Sequence, residues 1–191
     1  MTQDPEELGL ERRQAELAAL ETAARELRYF LPAMITGLLS TPEYIRASLG
    51  HLPGDVSKTV ARKLERQAVL HDTSKAFTFV LTEQAVRWAV VGPLAMSVQI
   101  EHLANLSQLP NIRLGVVPLG SRLGQGPMNT FTVYDDRLAT VETFTDRMVF
   151  QDPADVAKHR QVFALYERTA LFGEQAGEQL HEWAEFYRRD L

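Results

Sequence analysis

Arg62 and Arg66 stand four apart in a stretch that reads as helix, so one face presents both guanidiniums, and Gln67 follows directly. Phe79-Val-Leu-Thr-Glu83 comes soon after and ends in a carboxylate; a second acid, Glu142, follows Val141 later in the chain. Forks and carboxylates of this kind can do one of two things. They can grip an anion, with an arginine on a ligand or on a partner's carboxylate and Glu83 and Glu142 orienting it. Alternatively, they can tie the helix to a sheet as a buried ionic network. The facing of Glu142 decides its role. Beside a guanidinium it is a structural partner; alone in an apolar pocket it is a candidate acid.

Other clusters carry less chemistry. Gly124-x-Gly126, within Gly120-Ser-Arg-Leu-Gly-Gln-Gly-Pro-Met128, is not followed by a helix, so it is no dinucleotide fingerprint, and no Gly-Lys-Ser/Thr makes a phosphate loop. It reads as a lid over a pocket or as a long hairpin connection. Glu178-x-x-His181-Glu182 lacks the second histidine of a zinc protease motif and reads as helix surface. His159 falls on an apolar stripe and is expected to bond a carbonyl. No serine sits in a Gly-x-Ser-x-Gly elbow, so nucleophilic catalysis has no support. No catalytic residue, metal site or cofactor is assigned.

The elements that must hold these residues read as follows. Asp4-Pro5-Glu6-Glu7 starts an amphipathic helix over 5–29, with Leu10, Leu17, Leu20, Ala24 and Leu27 near a seven-residue repeat. Thr41-Pro42 opens a short helix, and Asp55 caps a third that runs to about Leu70. The period then changes to a strand at 77–82. A helix from Pro93 follows, then strands at 112–119, 130–134, 139–144 and 147–150, with Asp135-Asp136 as a hairpin turn. Asp152-Pro153 starts another helix, which Gly173 ends, and a last helix carries Leu180, Trp183, Tyr187 and Leu191. The fold class expected is α+β: a small, mostly antiparallel sheet of about five strands, flanked by N-terminal and C-terminal helices.

The 191 residues, 45% of them apolar, suit one domain over 1–191. A net charge of −5 disfavours a free-standing nucleic-acid binder. There is no cysteine, which excludes disulfides and thiol catalysis and fits a cytoplasmic protein. The acidic start shows no secretory signal, and no apolar run is long enough to span a membrane.

The motif order resembles the C-terminal, antitoxin-like domain of actinobacterial Xre-type helix-turn-helix transcriptional regulators. The matching segments are Pro32-x-x-x-x-Gly37-Leu-Leu-x-Thr41-Pro-x-Tyr44, Val60-Ala-Arg-x-x-x-Arg-Gln67, Phe79-Val-Leu-x-Glu83, Gly92 to Met96, Gln99-x-x-x-Leu103, Pro110-Asn-Ile-x-x-x-Val116-x-Pro118, Phe131-Thr-Val, Val141-Glu142 and the closing helix through Ala170-Leu171. Thr140 and His159 depart from the resemblance, standing where relatives often carry tyrosine. The resemblance implies a regulatory sensing or partner-binding domain without its DNA-binding domain, with a PAS-like sensor as the fold analogy. It implies control of dimerisation or DNA binding by a small molecule or by a small partner protein encoded nearby. Arg62, Arg66, Gln67, Glu83 and Glu142 are the expected polar side of that site. The alternative is a stand-alone enzyme using a carboxylate base and an arginine clamp in the same pocket.

Overall fold

The structure, a computed structural model, describes residues 5–189 apart from 53, 144 and 145. Asp4 as a cap, the side chain of Leu10, Phe144 and Leu191 lie outside the described residues.

A first helix, α1 (Pro5–Ala23), leads into strand β1 (Glu26–Leu31). Helices α2 (Pro42–Ser48) and α3 (Ser57–Arg66) cross to β2 (Ala76–Thr82). Helices α4 (Glu83–Arg87) and α5 (Pro93–Leu106) cross to β3 (Ile112–Val117). An antiparallel run of β4 (Phe131–Tyr134), β5 (Leu138–Glu142) and β6 (Arg147–Phe150) precedes α6 (Pro153–Glu167) and α7 (Gly173–Arg188). One six-stranded sheet results, in the order β3-β2-β1-β4-β5-β6.

This corrects the expected fold. The class is α+β, but the sheet is mixed: β1, β2 and β3 pair in parallel, and the remaining pairs are antiparallel. The error lies at 24–31, where Ala24 and Leu27 continue the spacing of α1. The chain nonetheless leaves the helix at Ala23, and Tyr29, Phe30 and Leu31 enter the sheet buried on both faces, as a central strand requires. With β1 in place, the connections from β1 to β2 and from β2 to β3 become crossovers through helices, which parallel pairing demands. Gly173 does not end α6. That helix stops at Glu167, Leu171 bridges the outer edge of β3 at Val116, and Gly173, with φ +58°, opens α7.

Two apolar layers flank the sheet. On one face Leu27, Leu31, Phe77, Phe79, Leu81 and Leu114 meet Met96, Ile100 and Leu103 of α5 and Leu180, Trp183 and Tyr187 of α7. On the other, Phe30, Val80, Phe131, Val133 and Ala139 meet Val156, Phe163 and Tyr166 of α6. Gly115 is where the chain needs a bare backbone, because a Cβ there would stand 2.6 Å from the Phe172 ring. Gly115→Ala is expected to cost about 1–3 kcal/mol through this overpacking, read as a lower midpoint in chemical denaturation.

Candidate functional site

The first sheet face changes character beneath α1. Tyr29, Thr132 and Thr140 form one cross-strand row on β1, β4 and β5, and Tyr134 lies on the same face. All four are buried, so this part of the sheet presents hydroxyls where the part under α5 and α7 presents hydrocarbon. Buried hydroxyls require partners, and the helix above brings a charge. Glu21 of α1 is only 1% exposed. Its Oε1 accepts a hydrogen bond from the Tyr29 hydroxyl at 3.1 Å, and its Oε2 lies 2.9 Å from Nε of Arg66 on α3. Arg66 also donates to Oε1 of Gln14 on α1. Further out, Arg62 pairs with Glu11 at 3.3 Å, and Arg147 of β6 pairs with Glu16 at 2.8 Å. Lys75 donates to the carbonyls of Thr22 and Ala24, both at 2.6 Å, and so places a cation at the C-terminal end of α1.

α1 is therefore held mainly by polar contacts. Its apolar contribution is thin: Leu17 and Leu20 are only half-buried. Between α1 and α3 a groove of about 500 Å³ remains, its walls including Ala15, Ala18, Ala68 and Val69 and its charged groups Glu21, Glu65, Asp72, Arg62, Arg66 and Lys75. Burial pushes the Glu21 carboxyl up to about 7, against the opposing pull of Arg66 and the Tyr29 hydroxyl. Burial likewise raises the Tyr134 phenol to about 12 and lowers the Lys63 ammonium.

The sign of the Glu21 shift makes a prediction. Arg66, Tyr29, Tyr134 and Glu142 are the titratable or charged groups acting on it from α3, β1, β4 and β5. Its folded value lies above the ordinary 4.5, so the fold holds this proton more tightly than the unfolded chain does. The stabilisation is complete below the ordinary value and lost as pH rises through about 7. Roughly 3 kcal/mol is at stake across that window. Glu21→Gln is expected to remove this component of the pH dependence, measured by urea denaturation at pH 5 and pH 8.

The five sequence-expected residues do not form one site. Arg62 and Arg66 line the groove together. Gln67 points instead at backbone, donating to the carbonyls of Gly37 and Ser40, both at 2.8 Å. Glu83 pairs with Arg87 on its own helix at 2.5 Å, and its other oxygen accepts from the Leu119 amide at 2.8 Å. It anchors the start of the loop after β3 and does not reach Arg62 or Arg66. Glu142 is exposed at the end of β5; its field reaches Glu21, Lys63 and Tyr134, with no direct ion pair among the described residues. Thr140 and His159 lie on opposite faces of the sheet, so they cannot line one pocket: Thr140 is under α1, whereas His159 packs on Phe131 and Phe150. The His159 ring does bond a carbonyl, that of Asp155, at 2.8 Å.

Glu21 was missed by the sequence reading. A signal was present, because Glu21 falls four residues after Leu17 and three before Ala24, on the stripe itself. An acid on a buried stripe needs a partner, and Arg66 supplies it.

Fold and cluster together define an α+β domain with a helix clamped across a hydroxyl-bearing sheet face. The sequence matches, over residues 14–182, the family model described as Domain of unknown function (DUF5753), and the chain belongs to that family. Among solved structures it is similar to a phospholipase D family member, Nuc from Salmonella typhimurium. Identity is 10% and the TM-score 0.45, over 84% of this chain and 90% of that one, too loose a likeness to support an argument about chemistry. No curated protein matches. No helix among the described residues is long and apolar enough to cross a membrane.

Proposed function

We propose that this chain is a regulatory sensing or partner-binding domain, of the kind attached to Xre-type helix-turn-helix transcription regulators in actinobacteria. In this reading it works in the cytoplasm, as a homodimer or with a small partner protein encoded nearby. The observation that carries the reading is the way α1 is docked. Ion pairs and hydrogen bonds hold it over a groove, with little apolar packing, so its release costs less than the release of a core helix. A small molecule or protein segment that competes for Arg62 or Arg66 shifts α1 between docked and released arrangements. Whatever precedes α1, a DNA-binding domain above all, then receives the change.

The enzymatic alternative needs a free carboxylate beside an arginine. Both oxygens of Glu21 and both of Glu83 are engaged, which favours the regulatory reading. Native mass spectrometry of the purified chain tests it. A bound small molecule or partner that is lost on denaturation, and absent from an Ala18→Trp variant with a filled groove, is the expected result. An unchanged monomer mass before and after denaturation, with no partner recovered, counts against it.

A further inference from the structure

A second cleft lies on the opposite face of the sheet, away from α1. Phe30 of β1, Phe131 of β4 and Tyr166 of α6 form its floor, and Val162 its side. Phe30 and Tyr166 stack face to face, with centroids 3.9 Å apart and planes inclined by 8°. Its volume is about 180 Å³. A cavity of about 150 Å³ lined by apolar side chains holds benzene, so this one fits a single ring with a small substituent.

The loop from β3 to β4 roofs the cleft. It is tied by the Leu119 amide to Glu83, by the Gly126 carbonyl to the Tyr166 hydroxyl at 3.1 Å, and by the Thr130 carbonyl to the Glu142 amide at 3.1 Å. Met128, from the same loop, lines the cleft yet remains 80% exposed.

The rim is polar. Gln125, Asn129 and Lys158 line it, and their side chains have no hydrogen-bond or ion-pair partner among the described residues. His159 completes it. Because its Nδ1 faces the Asp155 carbonyl, that nitrogen carries a proton and donates to it. An apolar, aromatic floor with a few uncommitted polar groups converging on its rim is the chemistry of a small-molecule site.

We infer that this cleft binds a single-ring aromatic acid. Its ring lies against Phe30, Phe131 and Tyr166, and its anionic group faces Lys158 with the Gln125 and Asn129 amides. The inference does not depend on the α1 groove or on the regulatory reading.

Benzoate, with neutral benzamide as its control, is the probe, titrated into the full chain and followed by NMR at millimolar concentration. Benzoate is expected to shift the His159 ring and the amides of 120–129, and benzamide to bind about tenfold more weakly. Val162→Trp, which fills the cleft, is expected to abolish the shifts. Lys158→Glu sits on an exposed position, leaves the fold intact, and is expected to lose the preference for benzoate. That variant keeps the test decisive if Val162→Trp does not fold. Absence of shifts at the cleft, shifts that persist in Val162→Trp, or equal binding of benzoate and benzamide to the unaltered chain each overturn the assignment.

Discussion

At pH 8, where Glu21 is ionised, Arg66→Ala is expected to destabilise the protein by about 3–5 kcal/mol, because removing one partner of a buried pair strands the other charge. The stranded group is Glu21, 1% exposed and already pushed up to about 7 with Arg66 present. Without Arg66 its carboxylate has no neighbouring cation among the described residues, so at alkaline pH it must either take up a proton or drag α1 off the sheet. The same substitution removes the hydrogen bond to Gln14, so α1 loses both contacts that Arg66 supplies. The double variant Glu21→Leu/Arg66→Met is expected to recover most of the loss, since two apolar side chains replace the pair without leaving a charge. Urea denaturation of the two variants measures both effects. A loss below about 1 kcal/mol in Arg66→Ala would place the pair among surface ion pairs and remove it as the clamp.

Gln99→Ala carries the second large expectation, a loss of about 3 kcal/mol. Gln99 is fully buried in α5. Its Oε1 accepts from the Thr41 amide at 2.7 Å, and its Nε2 donates to the Leu39 carbonyl at 2.8 Å. Truncation orphans a buried donor and a buried acceptor, each worth about 1–3 kcal/mol when unpaired. Gln67 grips the same segment at Gly37 and Ser40, from α3's end of the structure. Two glutamines therefore grip the backbone of residues 37–41, beside the buried side chains of Leu38 and Leu39. Gln99→Ala should also raise amide exchange across that segment. A stability change under about 1 kcal/mol would mean that water replaces the amide without penalty.

These two residues show what the sequence revealed and what it hid. Gln99 and Gln67 both stood in recognisable motifs, but a glutamine's role depends on which backbone it meets, and Gly37 and Ser40 are far from Gln67 in sequence. Arg66 was legible as half of a pair because its type and helical spacing are local facts. Glu83 and Glu142 were the acids expected to orient it, whereas the acid beside it is Glu21 on α1. The same nonlocality hid the sheet. Strands at 76–82, 112–117 and 131–134 announce themselves by alternation and turn residues, and the structure has them within a few positions. β1 does not, because Leu27 continues the helical stripe of α1 and six residues offer too few periods to separate the two patterns. Losing that one strand turned a mixed sheet into an antiparallel one.

The groove and the clamp stand on the docking of α1, and native-state hydrogen exchange of the full chain tests that most directly. The amides of α1 are expected to exchange through an opening whose free energy lies well below that of β1 and β2, and Arg66→Met is expected to strip α1 of most of its protection while the α5 and α7 layer, though less stable, stays protected. Exchange of α1 together with the central strands, at the global unfolding free energy, would contradict it: α1 would then be part of the core, and no ligand in the groove could move it alone.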